Sequence, residues 1–424
     1  MKIDNIIARE ILDSRGNPTV EVDVYVGDIC ARSSSPSGAS VGSRESIELR
    51  DKESKRFFGK GVLKAVDNVN SIIKQAIVGE NCDDQKSLDS ILLDLDGTHN
   101  KSRLGANATT ATSTAMLKAA ALAHKKPLFQ YLNPHGATLP IPQMNILNGG
   151  VHADNDLDIQ EFMIMPIGAK NIKHAIQMGA EVFFCLREIL KQKNMSISIG
   201  DEGGVAPNIK ESEQALELLM TAIAKAGYIA GKDIALALDV ASSEFFKNGQ
   251  YYLKGVNRNL NQEQLVLFYE NLIKQFPIIS IEDPMAEQDI EGWRIMTEAL
   301  GTKVQLVGDD VFVTNQAILA EGIKQNIGNA ILIKPNQVGT ITETENTVYY
   351  AQKNHYNCIM SHRSGETENS VIAHLAVAYN CSQIKTGGLC RTDRICKYNE
   401  LIRIEEILGR DAKFAKFELN AKHE

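Results

Sequence analysis

The chain has 424 residues, seven cysteines, eleven prolines and one tryptophan, with no excess of basic charge, and each shortage narrows what it can be. The cysteines, at positions 30, 82, 185, 358, 381, 390 and 396, are odd in number and form neither a Cys-x-x-Cys pair nor a finger-like His/Cys spacing. That excludes a disulfide framework and a zinc finger, and it points to a reducing, cytoplasmic compartment. Met1 to Asn5 lacks the apolar centre of a signal peptide, and no uninterrupted apolar run approaches the roughly 18 residues a spanning helix needs, so no membrane span is expected. Lys and Arg total 45 against 53 Asp and Glu, a formal charge of −8, with a pI near 5.7. Nucleic-acid binding needs a concentrated basic surface, so no direct nucleic-acid site is expected. The one dense basic stretch, Lys52 to Lys60, also holds Phe57 and Phe58 and reads as a solvated face.

Several motifs are absent or out of context. There is no Walker A or HExxH run, and Asp94-Leu95-Asp96-Gly97 lacks the later acids of a calcium loop. Gly38-Ala39-Ser40-Val41-Gly42 fits the nucleophile elbow of serine hydrolases, but Ser33 to Ser37 precede it where an apolar strand should stand. It reads instead as a mobile surface loop.

What remains is ordinary globular material, 43% hydrophobic and 23% charged, enough for two or three domains or for a barrel with a smaller companion. Val20, Val22, Val24 and Val26 alternate with polar residues at the period of a strand, and Gly27-Asp28 turns the chain into a hairpin. Val62, Val66, Val69, Ile73 and Ile77 recur at helical spacing, and the Ala-rich stretch from Leu104 to His124 predicts a buried helix. Pro127, Pro134, Pro140 and Pro142 interrupt regular structure. They divide the chain into an N-terminal α+β domain, residues 1–132, carrying the Ser40 loop, and a second domain, residues 133–424.

In that second domain eight strands are expected, beginning near Gln143, Ile159, Ile234, Ile278, Val304, Ala330, Asn357 and Ser382, with helices such as Glu211 to Lys225 and Gln262 to Gln275 between many of them. This is the arithmetic of an α/β TIM-type barrel. Too few residues separate the first two strands for a crossover helix, so they are expected to pair antiparallel, before a long helix from Asn171 to Lys193.

Six of the apolar runs end in a polar residue that a buried strand has no reason to carry: Asp239, Glu282, Asp309, Lys334, His362 and Lys385, spaced by 43, 27, 25, 28 and 23 residues. C-terminal strand ends ring one mouth of a barrel, so these residues should converge. Asp239, Glu282 and Asp309 would repel one another unless a divalent cation neutralised them, and an all-oxygen set points to Mg²⁺ or Mn²⁺. The competing reading is that each acid caps a helix. Lys334, beside a cation, would be pushed toward the neutral amine that a general base requires; the competing reading is a salt bridge. His362-Arg363-Ser364-Gly365 suits a phosphate. Gly200 to Gly204, with Asp201 and Glu202, and Asn148 to His152 join functional side chains to glycine turns.

Taken together, Ala8 to Thr19, Pro36 to Ser40, Gly200 to Gly204, Ile333 to Gln337 and Ser361 to Thr367 resemble the enolase family over essentially the whole chain. The resemblance implies a barrel opening with two strands and then two helices, and a homodimer or higher even oligomer. It also implies a carbon–oxygen lyase of glycolysis that reversibly dehydrates 2-phosphoglycerate to phosphoenolpyruvate. Carried over by position, Lys334 resembles the base and Glu202 the general acid. Asp239, Glu282 and Asp309 resemble the ligands of a first Mg²⁺, and Ser40 the residue that reaches a second Mg²⁺ arriving with substrate. Arg363 and Ser364 match the phosphate site, Lys385 the carboxylate site, and His152, Gln160, Glu161 and His362 other pocket positions. Family members are also reported at cell surfaces. Relatives that racemise acid sugars tend to lack the Arg363-Ser364 fork and the Ser40 loop, and a binding protein without turnover would keep the fold alone. Val41, Asn369, His374 and Gly388-Leu389-Cys390 depart from the usual pattern.

Overall fold

In the computed structural model, which describes residues 1–52 and 55–419, the expected hairpin forms between Pro18–Val26 and Ile29–Ser34, and Asn5–Leu12 pairs antiparallel on its other side. The alternating valines put Val20, Val22, Val24 and Val26 inside. They pack under the helix Ala106–Ala123, whose small residues are buried on almost every side. Burial all round has a cause: one face of the helix meets the sheet, while another meets Pro335–Val338 and Ile341–Lys353 of the barrel. The helical periodicity from Val62 to Ile77 is realised as one helical run whose middle turn, Val69–Ile73, widens to a π-helix.

All eight expected strands form, and they close into a barrel. In chain order they are Ile141–Asn148, Glu161–Met165, Ala235–Asp239, Ile278–Glu282, Gln305–Gly308, Ala330–Ile333, Asn357–Ser361 and Gln383–Lys385. Helices Ile172–Gln192 and Ser212–Lys225 follow the second strand, giving the expected opening of two strands and two helices. The second strand runs antiparallel to both neighbours; the other pairs are parallel. This reversal has a functional consequence. Glu161 sits at the start of its strand, yet it pairs with Asn148 and Asp239 at the ends of theirs, so its side chain reaches the same mouth.

The two domains are clamped by polar contacts. Buried Asp89 accepts hydrogen bonds from the Thr342 amide and hydroxyl at 2.9 and 2.7 Å, and Ser113 Oγ accepts from the Ile341 amide at 3.0 Å. First-domain side chains thereby satisfy orphan donors at the start of the barrel helix Ile341–Lys353. At the mouth, Ser37 and Gly365 exchange two backbone hydrogen bonds of 2.8 Å. No helix of the described residues is long and apolar enough to cross a membrane. Residues 53 and 54 of the Lys52–Lys60 stretch lie outside the described residues; within it, Phe58 is exposed.

Candidate active site

The helix-cap reading of the strand-end acids does not hold. The helix Ile290–Leu300 is capped by Asp289 and the helix Gln316–Lys324 by Asn315, which leaves Glu282 and Asp309 free to face the barrel mouth. Twelve of the thirteen residues singled out from sequence, from Ser40 to Lys385, line one narrow polar cleft at that mouth. The thirteenth, Glu282, lies against it through Lys385. A larger cavity of about 480 Å³ between Lys118, Leu128 and His374 is mostly apolar and gathers no comparable set.

Two ammonium groups organise the acids. Lys385 Nζ donates to Glu282 Oε2 at 2.7 Å and to Asp239 Oδ2 at 2.8 Å, with Glu161 Oε1 at 3.2 Å. Lys334 Nζ donates to Asp309 Oδ2, whose other oxygen accepts from Gln337 at 2.9 Å. Asp283 in turn anchors the backbone, accepting from the amides of Asp309 and Asp310 at 2.8 and 2.9 Å. Among the described residues, the tight groupings of ligand atoms, within 4.8 Å, are His152/Glu161/Glu202 and Asp283/Asp309/Asp310. Asp239, Glu282 and Asp309 do not form such a group by themselves, because the lysine ammoniums sit among them.

Glu202 lies between two imidazoles, 3.6 Å from His152 Nε2 and 3.2 Å from His362 Nε2, and accepts a long bond from Asn145. The Ser40 loop lies against the seventh-strand turn: Ser364 Oγ accepts from the Ala39 amide at 2.6 Å, and Arg363 donates to the Ser40 carbonyl at 3.2 Å. Both terminal nitrogens of Arg363 also pair with Glu45, at 2.8 and 3.1 Å.

The electrostatics follow from burial. Desolvation, then repulsion from neighbouring carboxylates, drives Glu161 and Glu282 well above the usual carboxylate range. Burial pulls the Lys334 amine toward neutrality, but Asp309 and Glu282 outweigh it, so its pKa is raised. This is the salt-bridge alternative, opposite to the expected depression: in the protein alone the nearest charge is anionic. Burial likewise opposes ionisation of Glu202, yet the polar edges of the His362 and His152 rings and the Arg394 charge facing it hold it well below the usual range, while burial keeps both rings themselves shifted toward their neutral forms. Buried polar atoms without partners cluster here, on Asn145, Asn148, His152, Gln160, Glu161 and His362, whose Nε2 is close to Glu202 without a hydrogen bond to it. Five buried carboxylates against two lysines, with hard oxygen donors still unsatisfied, is a donor set that fits a magnesium-class dication.

Sequence reading missed several supporting groups. Glu45 and Asp283 sit beside motifs that were noticed, and Gln337 lies within the quoted Ile333–Gln337 run. Arg394 carries no signal in the sequence, because cations spaced like Arg391, Arg394 and Lys397 are the ordinary pattern of a wet helix face, whereas Arg394 and Lys397 are fully buried. The departures also find places. Asn369 donates to Ser33 Oγ and the Ser34 carbonyl, which an aspartate could not do, His374 pairs with Glu400 at 3.1 Å, and Val41 is exposed. A Cβ at Gly388 would come within 2.5 Å of the Gly203 backbone, so glycine lets that turn press on the Glu202 loop.

Removing a proton beside a carboxylate and expelling a neighbouring hydroxyl calls for a base, a proton donor and a place for positive charge, and this fold brings an amine, a carboxyl group and a set of oxygen donors suited to a dication to the barrel mouth. The protein is thus a metal-dependent barrel enzyme acting on small anionic acids. Residues 3–132 match the family model "Enolase, N-terminal domain", and residues 136–423 match "Enolase, C-terminal TIM barrel domain". Curated relatives named "Enolase" from Legionella pneumophila strains Corby and Lens are each 57% identical over 409 residues, covering 96% of this chain and 97% of theirs. The chain belongs to the enolase family.

Proposed function

We propose a division of labour among the cleft residues for the family's reaction, the reversible, Mg²⁺-dependent dehydration of 2-phospho-D-glycerate to phosphoenolpyruvate by a hydro-lyase. Lys334 takes the proton from carbon 2, and Glu202 gives a proton to the hydroxyl leaving carbon 3. The electron pair left at carbon 2 closes the double bond as water departs. Arg363 and Ser364 hold the phosphate and Lys385 the carboxylate, while His152, Gln160, Glu161 and His362 shape the pocket. Asp239, Glu282 and Asp309 would hold the first Mg²⁺, and Ser40 would help to hold a second. Enolase-superfamily sites are known to pair a Lys or His base with one or two Mg²⁺ ions. When bound, Mg²⁺ supplies the positive charge that makes a proton next to a carboxylate removable.

The observation that carries this reading is geometric: Lys334, Glu202, Asp239, Asp309 and Lys385 line one cleft, with Glu282 held against it by Lys385. In the protein alone Lys334 is held protonated and Glu202 ionised, the states from which hydration of the enol phosphate begins. Dehydration begins from the reverse pair. Asp309, if it held a dication, would attract the Lys334 ammonium less, and Glu202 beside an anionic substrate would favour its protonated form, so ligand binding would move both groups toward the dehydrating pair. Purified protein given 2-phosphoglycerate and Mg²⁺ should develop the ultraviolet absorbance of the enol phosphate and lose that activity with a chelator. Absence of a magnesium-dependent signal would refute the reading, and normal turnover by Lys334→Ala would refute the assignment of the base.

The domain division at 132/133, a homodimer or higher even oligomer, and work in the cytoplasm belong to the same proposal. Family membership supports them. Light scattering of the purified protein tests the assembly: a single monomer mass would refute it. The Arg363-Ser364 fork and the seated Ser40 loop favour this reaction over racemisation of an acid sugar.

A further inference from the structure

The helix Thr392–Leu408 presents Arg394 to the back of the cleft from its first turn, and the side chain is fully buried. Its guanidinium joins two segments distant in sequence. One terminal nitrogen contacts His362 Nδ1 and the Arg363 carbonyl; the other donates to the Ser364 carbonyl and, at 3.2 Å, to the Asp201 carbonyl. Asp393 lies 2.8 Å from Nε. The space is built for this arrangement: a Cβ on Gly387 would come 2.7 Å from Arg394 Cδ and 3.0 Å from His362 Cε1.

A guanidinium keeps its proton and offers only donors. His362 Nδ1 must therefore accept, and the single proton of the neutral ring is left to Nε2. That nitrogen lies 3.2 Å from Glu202 Oε2. We infer that Arg394 is a positioning residue which fixes the Nε2-protonated tautomer of His362 and so turns an N–H, rather than a bare lone pair, toward the carboxylate of the proposed proton donor, the two groups lying close but not aligned as a hydrogen bond. The consequence is directional. An N–H facing Glu202 favours the carboxylate left after its proton has gone to the departing hydroxyl. In the opposite tautomer, a bare Nε2 lone pair would repel that carboxylate and retain the proton on Glu202. Burial keeps the ring neutral in ordinary buffers, pushing His362 down to about 4. This inference rests on the reading of Glu202 as general acid.

Full-length protein labelled with ¹⁵N-histidine decides it by long-range ¹H–¹⁵N correlation at neutral pH, with His362 assigned by the signal missing from His362→Gln. Wild type should show His362 protonated on Nε2 and bare on Nδ1, and Arg394→Lys should keep that pattern. Arg394→Leu should convert it to a mixture and lower kcat by about 10- to 100-fold, the usual cost of losing an orienting partner, with Arg394→Lys recovering part of the loss. A wild-type His362 carrying its proton on Nδ1 overturns the inference whether or not any variant folds. So does a folded Arg394→Leu protein whose tautomer is unchanged. Failure of the Glu202 reading would show separately, as undiminished kcat in Glu202→Gln.

Discussion

The two ends of the barrel are built from the same strands and obey opposite rules. Near the N-terminal ends, inside the barrel, Gln305 and Gln383 exchange a reciprocal amide pair at 2.8 and 3.0 Å, and Gln143, Ser280 and Asn357 complete the network at 2.9 to 3.0 Å. Every member is uncharged, and none of these side chains leaves a buried polar atom without a partner among the described residues. At the mouth, the same strands end in Asp239, Glu282, Lys334 and Lys385, like charges crowd together, and polar atoms stay unpaired. A satisfied buried network specifies a structure; an unsatisfied one is costly and marks a place where ligands complete the bonding. The difference separates what holds the barrel closed from what the barrel does.

The largest expected effect breaks the mouth chemically. Lys334→Ala should lower kcat by about 10²- to 10⁴-fold, the range of a lost general base, while circular dichroism stays that of the parent. Next comes charge balance: Lys385→Met leaves Glu161, Asp239 and Glu282 facing one another and should cost about 3–5 kcal/mol of stability in denaturant titrations, measured without Mg²⁺. A third effect depends on pH. His362 titrates near 6.5 when unfolded and near 4 when folded, so the unfolded chain takes up the proton first. Its contribution is complete above about 6.5 and is lost as pH falls toward 4, at no more than about 1.4 kcal/mol per pH unit. Stability curves of His362→Gln should be flatter over that interval than those of the parent. The smallest effect lies at the opposite end of the barrel. Gln305→Ala strips partners from Gln383, Ser280 and Asn357 and should cost about 1–3 kcal/mol, with kcat unchanged because none of these residues lines the cleft.

Much of this was legible in the sequence. The strand count, the antiparallel opening and the convergence of Asp239, Glu282, Asp309, Lys334 and Lys385 follow from apolar runs that end in charge, a pattern with a direct geometric meaning in a barrel. The floor was not legible, because a glutamine at the start of a strand looks like any edge residue until the barrel closes and places Gln305 opposite Gln383. Arg394 stayed hidden for the same reason: burial on a charged helix face is a property of packing. The protonation of Lys334 also departed from expectation, since the sign of its shift depends on whether the nearest charge is Asp309 or a cation.

The crowded mouth is incomplete without a dication held by its carboxylates. Calorimetric unfolding with and without MgCl₂ tests this most directly. Saturation at about 100 times the dissociation constant should stabilise the parent and Gln305→Ala alike by about 2.7 kcal/mol, and stabilise Glu282→Gln far less. Equal stabilisation of all three proteins, or none of the parent, would contradict the account.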